Sequence, residues 1–78
     1  MTNDPDSPRV LARLRNEFDA QFLVDHLEAL GIHARLYSAL LSVAPEVRPE
    51  VEVRVRYADL DRAQAAREEL ARTNPRVR

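Results

Sequence analysis

The 78-residue sequence has no cysteine, no lysine and no tryptophan, only one glycine, and only two phenylalanines and two tyrosines. Without cysteine, neither a disulfide scaffold nor a thiolate zinc site is available. No apolar run approaches the roughly 20 residues of a bilayer span, and the acidic Met-Thr-Asn-Asp start is unlike a signal peptide. The expected compartment is the cytoplasm, with no membrane partner. All twelve basic residues are arginine; against thirteen acids they leave a net charge of −1, so no global pull toward nucleic acid exists. The 45% hydrophobic content is carried mainly by eleven Ala, ten Leu and eight Val, which predicts a thin core of small side chains. A chain of this length buries only about 60–65% of its unfolded surface. Lacking staples, it must rely on ordered packing or on self-association.

What is present is a clear succession of periodicities. Residues 1–8 hold two prolines and two aspartates and read as a disordered N-terminal tail, followed by a single α+β domain over 9–73 and a C-terminal tail at 74–78. Over residues 9–15, Val10, Ala12 and Leu14 alternate with Leu11, Arg13 and Arg15, the period of a half-buried strand. Asn16 is placed to cap a helix over 17–30, with Glu17 and Asp19 at its positive dipole end. Ala20, Leu23, Val24, Leu27 and Leu30 form its apolar stripe, and Gly31, the single glycine, stands where a left-handed C-terminal residue is wanted. Ile32, Ala34 and Leu36 alternate with His33, Arg35 and Tyr37 as a second strand. Val51, Val53, Val55 and Tyr57 alternate with Glu50, Glu52, Arg54 and Arg56 as the third and most regular. Asp59 is a candidate cap for a second helix with Leu60, Ala63, Ala66 and Leu70 on its stripe, ended at Asn74-Pro75 because a residue before proline avoids helical geometry.

The order β-α-β-β-α predicts an α+β fold, a truncated ferredoxin-like arrangement. A right-handed crossover through the first helix makes strands one and two parallel, leaving strand three between them: order 1-3-2, both helices on one face. The absent fourth strand leaves an edge of strand one unpaired, an expected contact for self-association.

The uncovered sheet face is then the surface of interest. Leu11, Arg13, Arg15, His33, Arg35, Tyr37, Glu50, Glu52, Arg54 and Arg56 are expected on it. Guanidinium forks suit anions, so Arg13, Arg15, Arg35 and Arg54, with Tyr37 beside them, form a candidate anion-binding set. The alternative is a solvated face whose arginines pair with Glu50 and Glu52 across the strands. A lone tyrosine without a glycine-rich signature does not suggest sequence-specific RNA binding. The segment 38–49 is longer than a hairpin needs and carries Leu40, Leu41 and Val43, which either dock a partner or cap the open end of the core. Catalytic pairings are missing: Asp25 and His26 point about 100° apart on a helix, and Ser38 and Ser42 lack a nucleophile elbow. His26 and His33 have no third ligand at plausible spacing, and Asp25 with Glu28 offers at most a weak cation contact, so no metal or cofactor is expected.

Asp19-Ala20 opening a helix, Leu27-Glu28-Ala29-Leu30-Gly31-Ile32 closing it, the strand Val51, Val53, Val55, and Ala63 with Leu70 in the last helix together resemble a small bacterial family of unknown function described as a prokaryotic signal-transducing protein. The resemblance covers residues 10–71. It implies a ferredoxin-like core distantly similar to the trimeric nitrogen-regulatory PII proteins, and a regulatory rather than enzymatic role. This chain departs from PII-type nucleotide sites in having neither a glycine-rich phosphate loop nor lysines, and the resemblance carries no catalytic residue. The expected function is a non-enzymatic regulatory or interaction module with a protein partner or a second copy; the alternative is a sensor of a small anion or nucleotide on the arginine face.

Overall fold

The computed structural model describes residues 4–38 and 50–77. Strand β1 (Pro8–Leu14) leads into helix α1 (Glu17–Ala29), followed by β2 (Ala34–Ser38), β3 (Val51–Arg56) and helix α2 (Leu60–Thr73). Short 3-10 turns occupy Tyr57–Asp59 and Pro75–Val77. The sheet runs β1-β3-β2 with β3 antiparallel to both neighbours, so β1 and β2 are parallel, and the α+β order is the one the periodicities predict.

Local signals explain most of these boundaries. The Asn16 side chain accepts the Asp19 N–H at 2.8 Å, satisfying one of the orphan donors of the first turn of α1. At the other end Gly31 sits at φ 81°, while the N–H groups of Gly31 and Ile32 reach back to the carbonyls of Glu28 and Leu27 at 2.9 Å each. This paired closure needs a left-handed residue, and glycine takes it without strain. The helix therefore ends at Ala29, one residue earlier than the stripe implies.

One continuous cluster forms the core. Leu23 and Leu27 of α1, Val53 of β3, Ile32 before β2 and Ala63 of α2 are essentially sealed from solvent, and both helices pack on the same sheet face and on each other. Each buried Leu or Val contributes about 1.5–3 kcal/mol of transfer free energy. Among the described residues the core holds Ala, Val, Leu and Ile only.

Four expectations change. The alternation in β1 breaks: Val10 pairs with Arg54 and Ala12 with Val53, leaving Leu11 as an extra, bulged residue. The bulge turns Leu11 into the core and Val10 outward, the reverse of strict alternation. Its carbonyl also takes a long contact of 3.4 Å from Arg67 Nη1 of α2. A bulge works against strand addition at this edge. Second, β1 begins at Pro8, and residues 4–7 are held against the molecule: Tyr57 and Ala58 N–H groups donate to the Ser7 and Pro5 carbonyls at 2.8 and 3.1 Å. Third, the expected C-terminal tail turns back. Proline cannot continue α2, and the 3-10 turn it begins seats Val77 in the core, its carbonyl bonded to Arg67 Nε at 2.9 Å. Fourth, Asp59 precedes α2 but its side chain makes no capping bond. It is buried, and one of its oxygens accepts from Arg56 Nε and Nη2 at 3.1 and 2.9 Å, with Arg62 3.7 Å from the other. Tyr57 correspondingly leaves the strand for the 3-10 turn.

Candidate functional site

Register decides which of the candidate residues meet on the uncovered face. Arg13 and Tyr37 lie across Glu52 on either side of β3, forming one row; Val10 and Arg35 lie across Arg54, forming the next; Pro8 faces Arg56 in a third. Rows are about 7 Å apart along the strand, so long side chains reach diagonally between them.

Glu52 organises the first row. It accepts from Arg13 Nε at 3.1 Å, and from Arg54 Nε and Nη2 at 3.1 and 2.7 Å. These bonds, chiefly those from Arg54 and then those from Arg13, hold the Glu52 carboxyl below its ordinary range. Arg54 thus leans toward the Glu52–Tyr37 row, and its guanidinium carbon lies 3.9 Å from the centre of the Tyr37 ring. That is a cation–π stack with the ring and the guanidinium in direct contact.

The second row is left with an imbalance. Arg35 and Arg54 stand directly opposite, an arrangement that is unfavourable for like charges. Arg54 relieves it by leaning away, and the Arg35 side chain stays exposed with no hydrogen bond or ion pair to any described residue. In the third row Arg56 is taken by Asp59, with Asp6 at 3.6 Å; the Asp59 carboxylate raises the Arg56 pKa above its ordinary value.

Arg35, Tyr37, Arg54 and Arg56 enclose, together with His33, a shallow half-open concavity of about 420 Å³, which Asp6, Pro8 and Val55 also touch. This is within the size range of small-ligand sites. Three guanidiniums and an imidazole line it beside an aromatic ring, against one carboxylate, Asp6, which is a donor-rich arrangement. Of the candidate set, Arg35, Arg54 and Tyr37 meet in the concavity. Arg13 is one row away and engaged by Glu52. Arg15 lies beyond the end of β1, in the bend before α1, and does not line it. Leu11, expected on this face, is in the core. Arg56 and His33 belong to the lining although the anion-binding set omitted them; alternation and the expected strand order had already put both on this face. The cross-strand pairing expectation is met by Glu52, whereas Glu50 is exposed outside β3.

Leu40, Leu41 and Val43 lie outside the described residues. No group of three or more His, Asp or Glu side chains that could hold a metal ion occurs among the described residues. No described helix is long and apolar enough to cross a membrane. Compared with protein-family models, with curated proteins and with solved structures, the chain matches none.

Proposed function

We propose that this protein is a non-enzymatic regulatory module that binds a small anion on the uncovered face of its sheet. The observation that supports this reading is Arg35: a guanidinium directly opposite a second guanidinium, exposed in a concavity, with no ion pair to a described carboxylate, the Asp6 that also lines the concavity being directed to Arg56. Arg13, Arg54 and Arg56 each have such a partner. A like-charge pair across strands costs folding free energy and gains nothing for the fold, whereas a bound carboxylate or phosphate turns the cost into a forked, charge-assisted contact. The Tyr37–Arg54 stack provides a flat surface beside it, suited to a planar group attached to the anion. Regulation is the role in which binding without chemistry is sufficient. The likeness to the signal-transducing family rests on Leu27, Gly31, Ile32 and the valines of β3, which build the covered side of the fold; it speaks for a common scaffold, and the uncovered face supplies the ligand reading.

Thermal melting with inorganic pyrophosphate and with adenosine monophosphate tests this. The expected result is a rise in Tm that weakens with added salt and vanishes in Arg35→Ala. A rise of equal size in Arg35→Ala, or none for either anion in the wild type, would overturn it.

A further inference from the structure

None of the four aromatic side chains is used in the core. Phe18 is 88% exposed, Phe22 48%, Tyr37 56% and Tyr57 40%. Aromatic rings are among the largest apolar surfaces a sequence can bury, about 150–250 Å² each, and a small domain built on alanine and valine has the most need of them. The two tyrosines each stack against an arginine: Arg54 at 3.9 Å from Tyr37, Arg9 at 5.1 Å from Tyr57. Phe18 and Phe22 make no such contact with a described residue.

The two phenylalanines are four residues apart on α1, so their rings stand one turn above the other. Further steps of four along the same ridge reach His26, half-buried, and Leu30 at the helix end, 49% exposed. The core stripe of Ala20, Leu23, Val24 and Leu27 occupies the other side. Helix α1 therefore has two apolar faces, and its fold uses one.

The charges that α1 itself places beside the outer ridge are of one sign, while Arg62 of α2 reaches the Leu30 carbonyl at the ridge's end, 3.3 Å away. Asp19 and Asp25 flank Phe18 and Phe22, and Glu17 and Glu28 stand further round α1, which contains neither lysine nor arginine. No ion pair joins any of the four to a described residue. This border selects among occupants. A second copy packed through the same ridge would bring both sets of carboxylates together. An anionic lipid surface would be repelled for the same reason. A partner whose apolar side chains are flanked by lysine or arginine is attracted on both counts. We infer that the Phe18–Phe22–Leu30 ridge of α1 docks a basic amphipathic helix of another protein. Aromatic anchors ringed by polar residues are the usual composition of binding hot spots, and a helix laid on a helical ridge is a recurring recognition mode. This inference stands apart from the anion reading, since it uses the opposite side of the molecule.

A fluorescently labelled leucine–lysine heptad peptide, with a leucine–glutamate peptide as its counterpart, is titrated into the full chain by anisotropy. The lysine peptide is expected to bind, and the Phe18→Ala/Phe22→Ala double variant to bind at least about tenfold more weakly. Asp25→Lys/Glu28→Lys is expected to reverse the preference between the peptides, and Arg35→Ala to leave it unchanged. All these positions are exposed, so circular-dichroism melts should show a folded protein throughout. Equal binding of the lysine peptide by the double phenylalanine variant, or equal binding of both peptides by the wild type, would overturn the inference. A wild-type dimer in light scattering that the phenylalanine variant dissolves would also overturn it, in favour of a second copy.

Discussion

The two faces of β3 are separated by a single residue and share no chemistry. Val51, Val53 and Val55 close the core from below, while Glu52, Arg54 and Arg56 alternate with them and face outward. The covered face is packed by small aliphatic side chains without a charge; the uncovered one holds guanidiniums, a carboxylate and a stacked tyrosine. The contrast separates two kinds of constraint. On the covered face every side chain is limited by volume, because interiors are close-packed and tolerate neither voids nor unpaired polar atoms. On the uncovered face water removes that limit, and what remains is a pattern of charge that the fold alone does not require. Substitutions on the covered side should therefore cost stability, and those on the uncovered side should cost ligand binding.

The largest expected effect tests the covered side. Leu23→Ala removes a fully buried side chain of α1 and should cost about 2–5 kcal/mol in urea unfolding; a loss under about 1 kcal/mol would mean the core rearranges to fill the space. Val53→Thr keeps the shape but places a hydroxyl in the core opposite Ala12 and Leu36, and a loss of about 1–3 kcal/mol is expected by the same measurement. At the edge between the regions, Gly31→Ala meets nothing within 4 Å of the new Cβ. Its cost, about 1–2 kcal/mol, should come from the positive φ alone.

The uncovered side should respond to pH instead. Because Arg54 and Arg13 hold the Glu52 carboxyl below its ordinary value of 4.5, Glu52 contributes stability that is fully present above that pH. It is lost as pH falls through the depressed folded value. The Tm difference between wild type and Glu52→Gln should be widest near neutrality and close in acid; a gap that widens on acidification would reverse the sign and break the argument. The smallest effect is expected for Arg35→Ala, within about 0.5 kcal/mol in either direction, even though it should abolish the anion-dependent rise in Tm. A large destabilisation there would make Arg35 a structural residue and erase the distinction between the faces.

Individual residues show what could be read in advance. Asn16, Gly31 and the alternation of β3 act within a few residues of themselves, through a capping bond, a left-handed turn and a period of two, and each stands where the sequence implied. Leu11 does not: two adjacent apolar residues, Val10 and Leu11, fit either face, and the bulge that resolves them depends on the partner strand. Asp59 has the composition of a helix cap, yet Arg56 lies close enough to claim its carboxylate. Val77 follows a proline near the chain end, where nothing local signals burial. The anion-binding candidates divide in the same way. Alternation brought Arg35, Arg54 and Tyr37 to one face, but the diagonal lean of Arg54 toward Tyr37, which leaves Arg35 without an ion pair among the described residues, follows from the position of Glu52 across two strands. Phe18 and Phe22 were passed over in the sequence, because a residue off the main stripe of a helix shows its exposure only when its neighbours are in place.

The sequence by itself determined the elements, their order and the chemical division between the two sides of the sheet, because periodicity, capping and turn preference are short-range properties of the chain. Only the tertiary structure decided the bulge, the return of Val77 to the core, the burial of Asp59 and the placing of Arg35 opposite Arg54 without an ion pair to a described carboxylate. Each of these depends on groups distant in sequence being brought within a few ångströms, where packing volume and Coulombic pairing choose between arrangements that the local pattern leaves equal.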